Sequence, residues 1–384
     1  MEKHPLLVLS DLGQSVWLDN IERGMLQSGE LARMIREDGL KGVTSNPTIF
    51  QKAITGSKIY SDAIATLIRD GQRYSARDLF YRLAIEDIQA AADALLPVYT
   101  QSNGRDGMIS IEVSPELAYD TAGTIKEARY LHQRVNRPNA MIKVPATAAG
   151  LPAIETLIAD GISINVTLLF SVSRYREVVE AYLHGLEARA KQNQKLSNIA
   201  SVASFFISRV DNSVDKMLQD LARTAPAAQQ SQLKAMQGKT AIANAKRAYA
   251  FYKEAFFTPR FEKLRKAGAQ PQRLLWASTG TKNPEFSDVL YLDSLIGPET
   301  VNTVPPATYK AFKEHGTAAS TLERGLAEAE QHLAALEALG IDMQQVTEQL
   351  EKDGVKLFAD SFNDLLNAIE VKLKTLQPKA SAAG

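Results

Sequence analysis

The chain has 384 residues, 45% hydrophobic and 23% charged, near the average for a soluble globular protein, which excludes a disordered, collagen-like or disulfide-scaffold chain. Lys plus Arg and Asp plus Glu both total 44, so no whole-chain field draws it to nucleic acid or to an anionic membrane surface. The absence of cysteine excludes disulfides, thiolate zinc sites, iron–sulfur clusters and a cysteine nucleophile.

In chain order, the opening Met1-Glu2-Lys3-His4-Pro5 leads into a short apolar run, Leu6 to Leu9, too brief for a signal-peptide core or a membrane span. A cytoplasmic protein is expected. Strands are predicted over 16–19, 42–46, 108–113, 140–144, 163–169, 201–206, 273–279 and 301–304. Helical patterns fall between most of them, over 57–70, 76–95, 124–135, 153–160, 174–192 and 243–256. Eight strands alternating with helices predict a (β/α)8 TIM barrel. A doubly wound open sheet would carry an early Gly-rich phosphate turn, which is missing. Gly238-Lys239-Thr240 is a decoy, because Leu233 stands where a P-loop needs its first glycine.

After about residue 315 the strand patterns stop. Ser320 and Glu323 spell a capping box before Leu322, Leu326, Leu333 and Leu336, with Gly340 as a stop. A second apolar helix face runs through Phe358, Phe362, Leu365, Leu366, Ile369 and Leu373. The expected organisation is a catalytic barrel over 1–315 and a C-terminal helical extension over 316–384, packed on the barrel with about its last ten residues frayed.

Alternation within strands sorts the side chains by face. Ile109, Ile111 and Val113 share one face, leaving Met108, Ser110 and Glu112 on the other. Ile162, Ile164, Val166 and Leu168 suit the helix layer, leaving Ser163, Asn165, Thr167 and Leu169 for the lumen. Lys143, between Ile142 and Val144, points inward by the same rule. Lys143 fits both a strand-end lysine reaching water and an amine nucleophile that condenses with a carbonyl. The second needs the amine brought from its reference pKa of about 10.4 toward neutrality, a change of roughly 4 kcal/mol, which burial can supply.

Asp19 ends the first strand, although with Glu22 it also spells a helix cap, and Asn46-Pro47 and Ser114-Pro115 look like caps followed by Pro. Singly, each is more often a cap than a catalyst. Together Asp19, Asn46, Glu112, Lys143, Asn165 and Thr167 fall at predicted strand ends and would ring one mouth. Ser278-Thr279-Gly280-Thr281-Lys282 follows the seventh strand, with Ser204 and Arg209 after the sixth. Either group suits a phosphate, and either alone is equally an ordinary turn. His4, His132, His184, His315 and His332 are scattered, so no metal is expected. The run Arg260, Lys263, Arg265, Lys266 reads as a solvated helix face.

These segments resemble a known family. Trp17-Leu18-Asp19-Asn20, Gly42-Val43-Thr44-Ser45-Asn46-Pro47-Thr48, Ile111-Glu112-Val113, Ile142-Lys143-Val144-Pro145-Ala146-Thr147, Asn165-Val166-Thr167-Leu168-Leu169-Phe170 and Ser204-Phe205-Phe206-Ile207-Ser208-Arg209 are similar to the signature segments of transaldolases, in their longer bacterial branch. The resemblance implies a cofactor-independent, Schiff-base transferase of the non-oxidative pentose phosphate pathway, acting on sugar phosphates. It implies Lys143 as the Schiff-base residue, Asp19 as the proton shuttle, Glu112 with Thr167 as the activators of water, Asn46 and Asn165 as holders of substrate hydroxyls, and Ser204 with Arg209 as the phosphate site. Shorter transaldolases commonly carry Arg where this chain has Lys282, and Pro and Gly where it has Phe205 and Ser208. A lysine there holds phosphate as a point charge without the bidentate fork.

Two rivals share the same residues: an aldolase that releases the three-carbon unit, and a sugar-phosphate-binding protein without turnover. No partner-binding motif is evident, and a homo-oligomer is compatible with the sequence. The C-terminal helices are expected to cover the mouth.

Overall fold

Parallel pairing of each strand with its sequence neighbour, closed by β8 on β1, makes a barrel. The strands are β1 (Gln14–Leu18), β2 (Gly42–Val43), β3 (Met108–Glu112), β4 (Ala140–Pro145), β5 (Ile164–Leu169), β6 (Ser201–Phe206), β7 (Arg273–Ala277) and β8 (Thr300–Val304). This is the TIM-barrel architecture with added helices. The computed structural model describes residues 4–69 and 74–376, so most of the tail expected to fray lies outside the described residues. None of the described helices is long and apolar enough to cross a membrane.

The register sets Glu112 beside Lys143 and Lys143 beside Asn165 on three adjacent strands. Neighbours in a parallel sheet share a face, so the three polar side chains enter the lumen in one row. β2 is short because Asn46 already caps the next helix, Pro47–Gly56, by accepting a hydrogen bond from the Ile49 amide at 2.9 Å. β7 stops at Ala277 because Ser278 turns into the left-handed region, φ +57°.

Alternation in β5 holds only through Thr167. The β5–β6 register shifts between Val166 and Leu169, and Leu168 lies at φ +56°. A bulge there re-aims the strand end. Leu168 meets the C-terminal helix, Met343–Leu376, at Gly354, where an added Cβ would stand 2.9 Å from Leu168 Cδ2.

A buried ion pair ties the N-terminal end of the barrel. Arg273 at the start of β7 donates to Asp106 Oδ1 at 2.9 Å and to Ser15 Oγ of β1, which donates in turn to Asp106 Oδ2. Burial alone would raise the Asp106 carboxyl, but Arg273, Ser15 and Arg105 outweigh it and hold it below its ordinary value. Arg273→Met strands a buried carboxylate and should cost about 3–5 kcal/mol at neutral pH. Since the native carboxyl titrates below the unfolded value of about 3.9, the stabilisation is present above that pH and is lost on acidification. The deficit of the variant in urea denaturation should therefore shrink below about pH 4; a deficit that stays constant through that range would remove the ion pair as its cause.

The capping box expected at Ser320 and Glu323 does not form. Leu322 is instead held by its amide to the Ile296 carbonyl and buried over Gly297, and the helix Leu326–Ala338 begins after Gly325, φ +69°. Burial of Leu322 against the barrel outweighs the local capping preference. Gly340, φ +80°, does follow that helix. The long C-terminal helix buries Phe358, Phe362, Leu365, Ile369 and Leu373, with Phe362 meeting Phe80 edge-on at 5.5 Å.

Candidate active site

At the C-terminal mouth of the strands a cavity of about 570 Å³ is lined by Asp19, Asn46, Lys143, Thr167, Ser204, Arg209 and Lys282. Two further residues of the expected ring, Glu112 and Asn165, stand buried against this lining. Among the described residues no cluster of three or more His, Asp or Glu side chains is placed to hold a metal ion.

Lys143 decides between its two readings by position. It is 5% exposed, so it does not reach bulk water from a strand end. Its Nζ donates to the Ser45 carbonyl at 3.1 Å and stands 3.4 Å from Glu112 Oε2. Removal from water pushes the Glu112 carboxyl up, against the opposing pull of Lys143. Neither Glu112 oxygen accepts a hydrogen bond from the described residues, and Thr167 Oγ1 has no partner either. A buried hydroxyl without a protein partner, as at Thr167, is uncommon and marks a place for an outside polar group.

Asp19, just past β1, is held by Thr44, whose hydroxyl donates to Oδ1 at 2.7 Å. Burial raises its pKa, partly offset by Lys143, Thr44, Arg209 and Lys282. It caps no helix: the next one, Arg23–Gln27, starts after Glu22 without a side-chain cap. Asn46 does cap a helix, yet its amide nitrogen is left for the cavity it lines. Asn165 is fixed at both ends, donating to Ser110 Oγ at 3.0 Å and accepting from Ser204 Oγ at 2.6 Å. Ser204 therefore lies within β6 rather than after it, with its proton engaged on Asn165.

Arg209 sits in the first turn of the helix Ser208–Ala222. Burial lowers its pKa, against Asp19 and Glu112, so the cation is desolvated and suited to an anion. The loop carrying Lys282 is pinned to this helix, since the Ser208 amide donates to the Ser278 carbonyl at 3.0 Å and the two hydroxyls meet at 2.9 Å. Gly238-Lys239-Thr240 instead joins two helices, with the Gly238 amide bonded to Asp215.

Sequence reasoning missed several lining residues: Thr44, Lys52, Phe206, Leu357, Phe358 and Ser361. Thr44 was within reach, as a polar residue just past β2. Phe358 and Ser361 were not, because their helix pattern says only that one face is apolar.

The family model "Transaldolase/Fructose-6-phosphate aldolase" matches residues 16–369. "Transaldolase" of Neisseria gonorrhoeae (strain ATCC 700825 / FA 1090) is 48% identical over 364 residues, 94% of this chain and 99% of that protein. "Transaldolase" of Thermobifida fusca (strain YX) is 48% identical over 96% of this chain and 98% of its own length. "Transaldolase 2" of Nostoc sp. (strain PCC 7120 / SAG 25.82 / UTEX 2576) is 46% identical over 97% and 98%. A match of this extent covers nearly the whole chain, and the chain belongs to the transaldolase/fructose-6-phosphate aldolase family.

Proposed function

We propose that the protein is a transaldolase, moving a dihydroxyacetone unit between sugar phosphates: sedoheptulose 7-phosphate and glyceraldehyde 3-phosphate exchange with erythrose 4-phosphate and fructose 6-phosphate. The observation that carries this reading is one buried amine, Lys143, at a cavity of about 570 Å³ with a buried carboxylate 3.4 Å away. A binding protein without turnover has no use for that costly arrangement.

In this reading the Lys143 Nζ attacks the ketose C2 carbonyl to give a carbinolamine. Loss of water, assisted by a molecule held between Glu112 and Thr167, gives an iminium. Asp19 takes the proton of the C4 hydroxyl as the C3–C4 bond breaks, and the electron pair passes into the iminium as an enamine. The aldehyde leaves, an acceptor aldehyde enters, and Asp19 returns the proton to the oxygen of the new bond. Water held by Glu112 and Thr167 then hydrolyses the resulting iminium, releasing the new ketose and restoring the Lys143 amine. Asn46 and Asn165 hold hydroxyls of the three-carbon unit, with Ser204 fixing Asn165. Arg209 and Lys282 take the phosphate. The unit 1–315 carries the chemistry, and part of the helical extension 316–384 covers its mouth, limiting premature protonation of the enamine. The protein acts in the cytoplasm.

Borohydride reduction with fructose 6-phosphate, followed by peptide mass mapping, tests the reading. A stable adduct on Lys143 is expected; none, or one on another residue, removes it. Product analysis with and without erythrose 4-phosphate then separates transfer from simple aldol cleavage. Release of the free three-carbon product at the same rate under both conditions favours the aldolase.

A further inference from the structure

Arg209 forms no salt bridge among the described residues; Asp19 and Glu112 act on it at longer range. Its guanidinium lies instead over two rings, with Cζ 5.2 Å from the centroid of Phe206 at the end of β6 and 5.7 Å from that of Phe358 in the C-terminal helix. A cation held over the faces of two rings is attracted by both without using up its N–H donors, which remain available to an anion. Phe206 and Arg209 come from one strand–helix joint, so their proximity is local. Phe358 has to be brought from the far end of the chain.

The helix that carries it passes close to the site at Gly354. Glycine is unfavourable inside a helix, yet it stands here within a helix of 34 residues. A Cβ at 354 would come to 2.9 Å from Leu168 Cδ2 at the β5 bulge and to 3.5 Å from Arg209 Nη1. Residue 358 lies one turn further along the same helix face. The following turn is held by Thr48, whose hydroxyl donates to Ser361 Oγ at 2.9 Å, both residues lining the cavity. Close seating of the helix at Gly354 and its tie at Ser361 bracket Phe358.

We propose that Phe358 is a positioning residue: with Phe206 it holds the Arg209 guanidinium in place so that its N–H donors meet the anionic end of the substrate, with the helix seated close beside Arg209 at Gly354. The identity of that anion as a sugar phosphate rests on the function proposed above; the stacking does not.

Inorganic phosphate is therefore the probe, titrated calorimetrically into the full chain. Phe358→Leu keeps an apolar side chain but removes the ring, and should weaken phosphate binding about five- to tenfold, while Phe358→Tyr should stay within about twofold of the parent. In steady state the leucine variant should raise KM for fructose 6-phosphate by a similar factor with kcat within about twofold, and borohydride capture of dihydroxyacetone, which has no phosphate, should be unchanged. Gly354→Ala, which favours the helix, should weaken phosphate binding in the same direction. Phosphate affinity unchanged in both Phe358→Leu and Gly354→Ala overturns the proposal, as does a loss of dihydroxyacetone capture equal to the rise in KM, or no phosphate binding by the parent chain. A parent chain that binds phosphate in this Phe358-dependent way but forms no Lys143 adduct sinks the transaldolase reading and leaves this one standing.

Discussion

Lys143→Ala is expected to lower transfer between fructose 6-phosphate and erythrose 4-phosphate by about 10⁴-fold or more, the scale seen when a covalent nucleophile is removed. The whole electron-sink chemistry runs through one nitrogen, and no second lysine lines the cavity at comparable burial: Lys52 and Lys282 lie at its exposed rim. The measurement is kcat/KM in a coupled assay, with circular dichroism showing that the barrel persists. Loss of Lys143 also removes the group that opposes the rise of the Glu112 carboxyl, so Glu112 should become easier to protonate and the fold should tolerate the change. A variant that retains transfer within about tenfold would mean that Lys143 only binds.

Asp19→Asn should slow turnover by roughly 10²–10⁴-fold, and so should Glu112→Gln, the span typical of a lost acid–base group. The two should fail at different steps. With Asp19 replaced, the imine still forms and borohydride still traps Lys143, but carbon–carbon cleavage stalls. With Glu112 replaced, trapping itself is slow. Rapid-quench measurement of adduct and product separates them, and equal trapping rates in both variants would undo the division of labour. The pH dependence follows from the direction of the Asp19 shift. Burial raises its carboxyl above the ordinary aspartate value, and a group that must accept a proton works only when ionised. The acid limb of kcat/KM should accordingly fall at a pH above about 4, and it should vanish in Asp19→Asn. A limb that persists unmoved in that variant belongs to another group.

Much of this site was legible in the sequence because a barrel converts position along a strand into position at a mouth. Period-two alternation put Ser110, Glu112, Lys143, Asn165 and Thr167 on the lumen side, and the observed register sets Glu112, Lys143 and Asn165 side by side. The rule failed at Leu168, where a residue with φ +56° breaks the alternation without a glycine to announce it. Capping logic was right for Asn46 and wrong for Ser320 with Glu323, because burial of Leu322 moved the helix start to Leu326. The Ser204 hydroxyl donates to Asn165, a pairing across strands that no local pattern encodes. Phe358 was invisible as a wall of the cavity, since an aromatic on an apolar helix face is ordinarily core.

The tie between Thr48 and Ser361 spans 313 residues. During synthesis all eight strands emerge, and can pair, before the last wall of the cavity has left the ribosome. A nascent barrel would thus expose its reactive lysine to cellular carbonyls for the seconds needed to translate the remaining segment, at about 5–20 residues per second. Maturation of the catalyst thus waits on the emergence of the helix that carries Ser361.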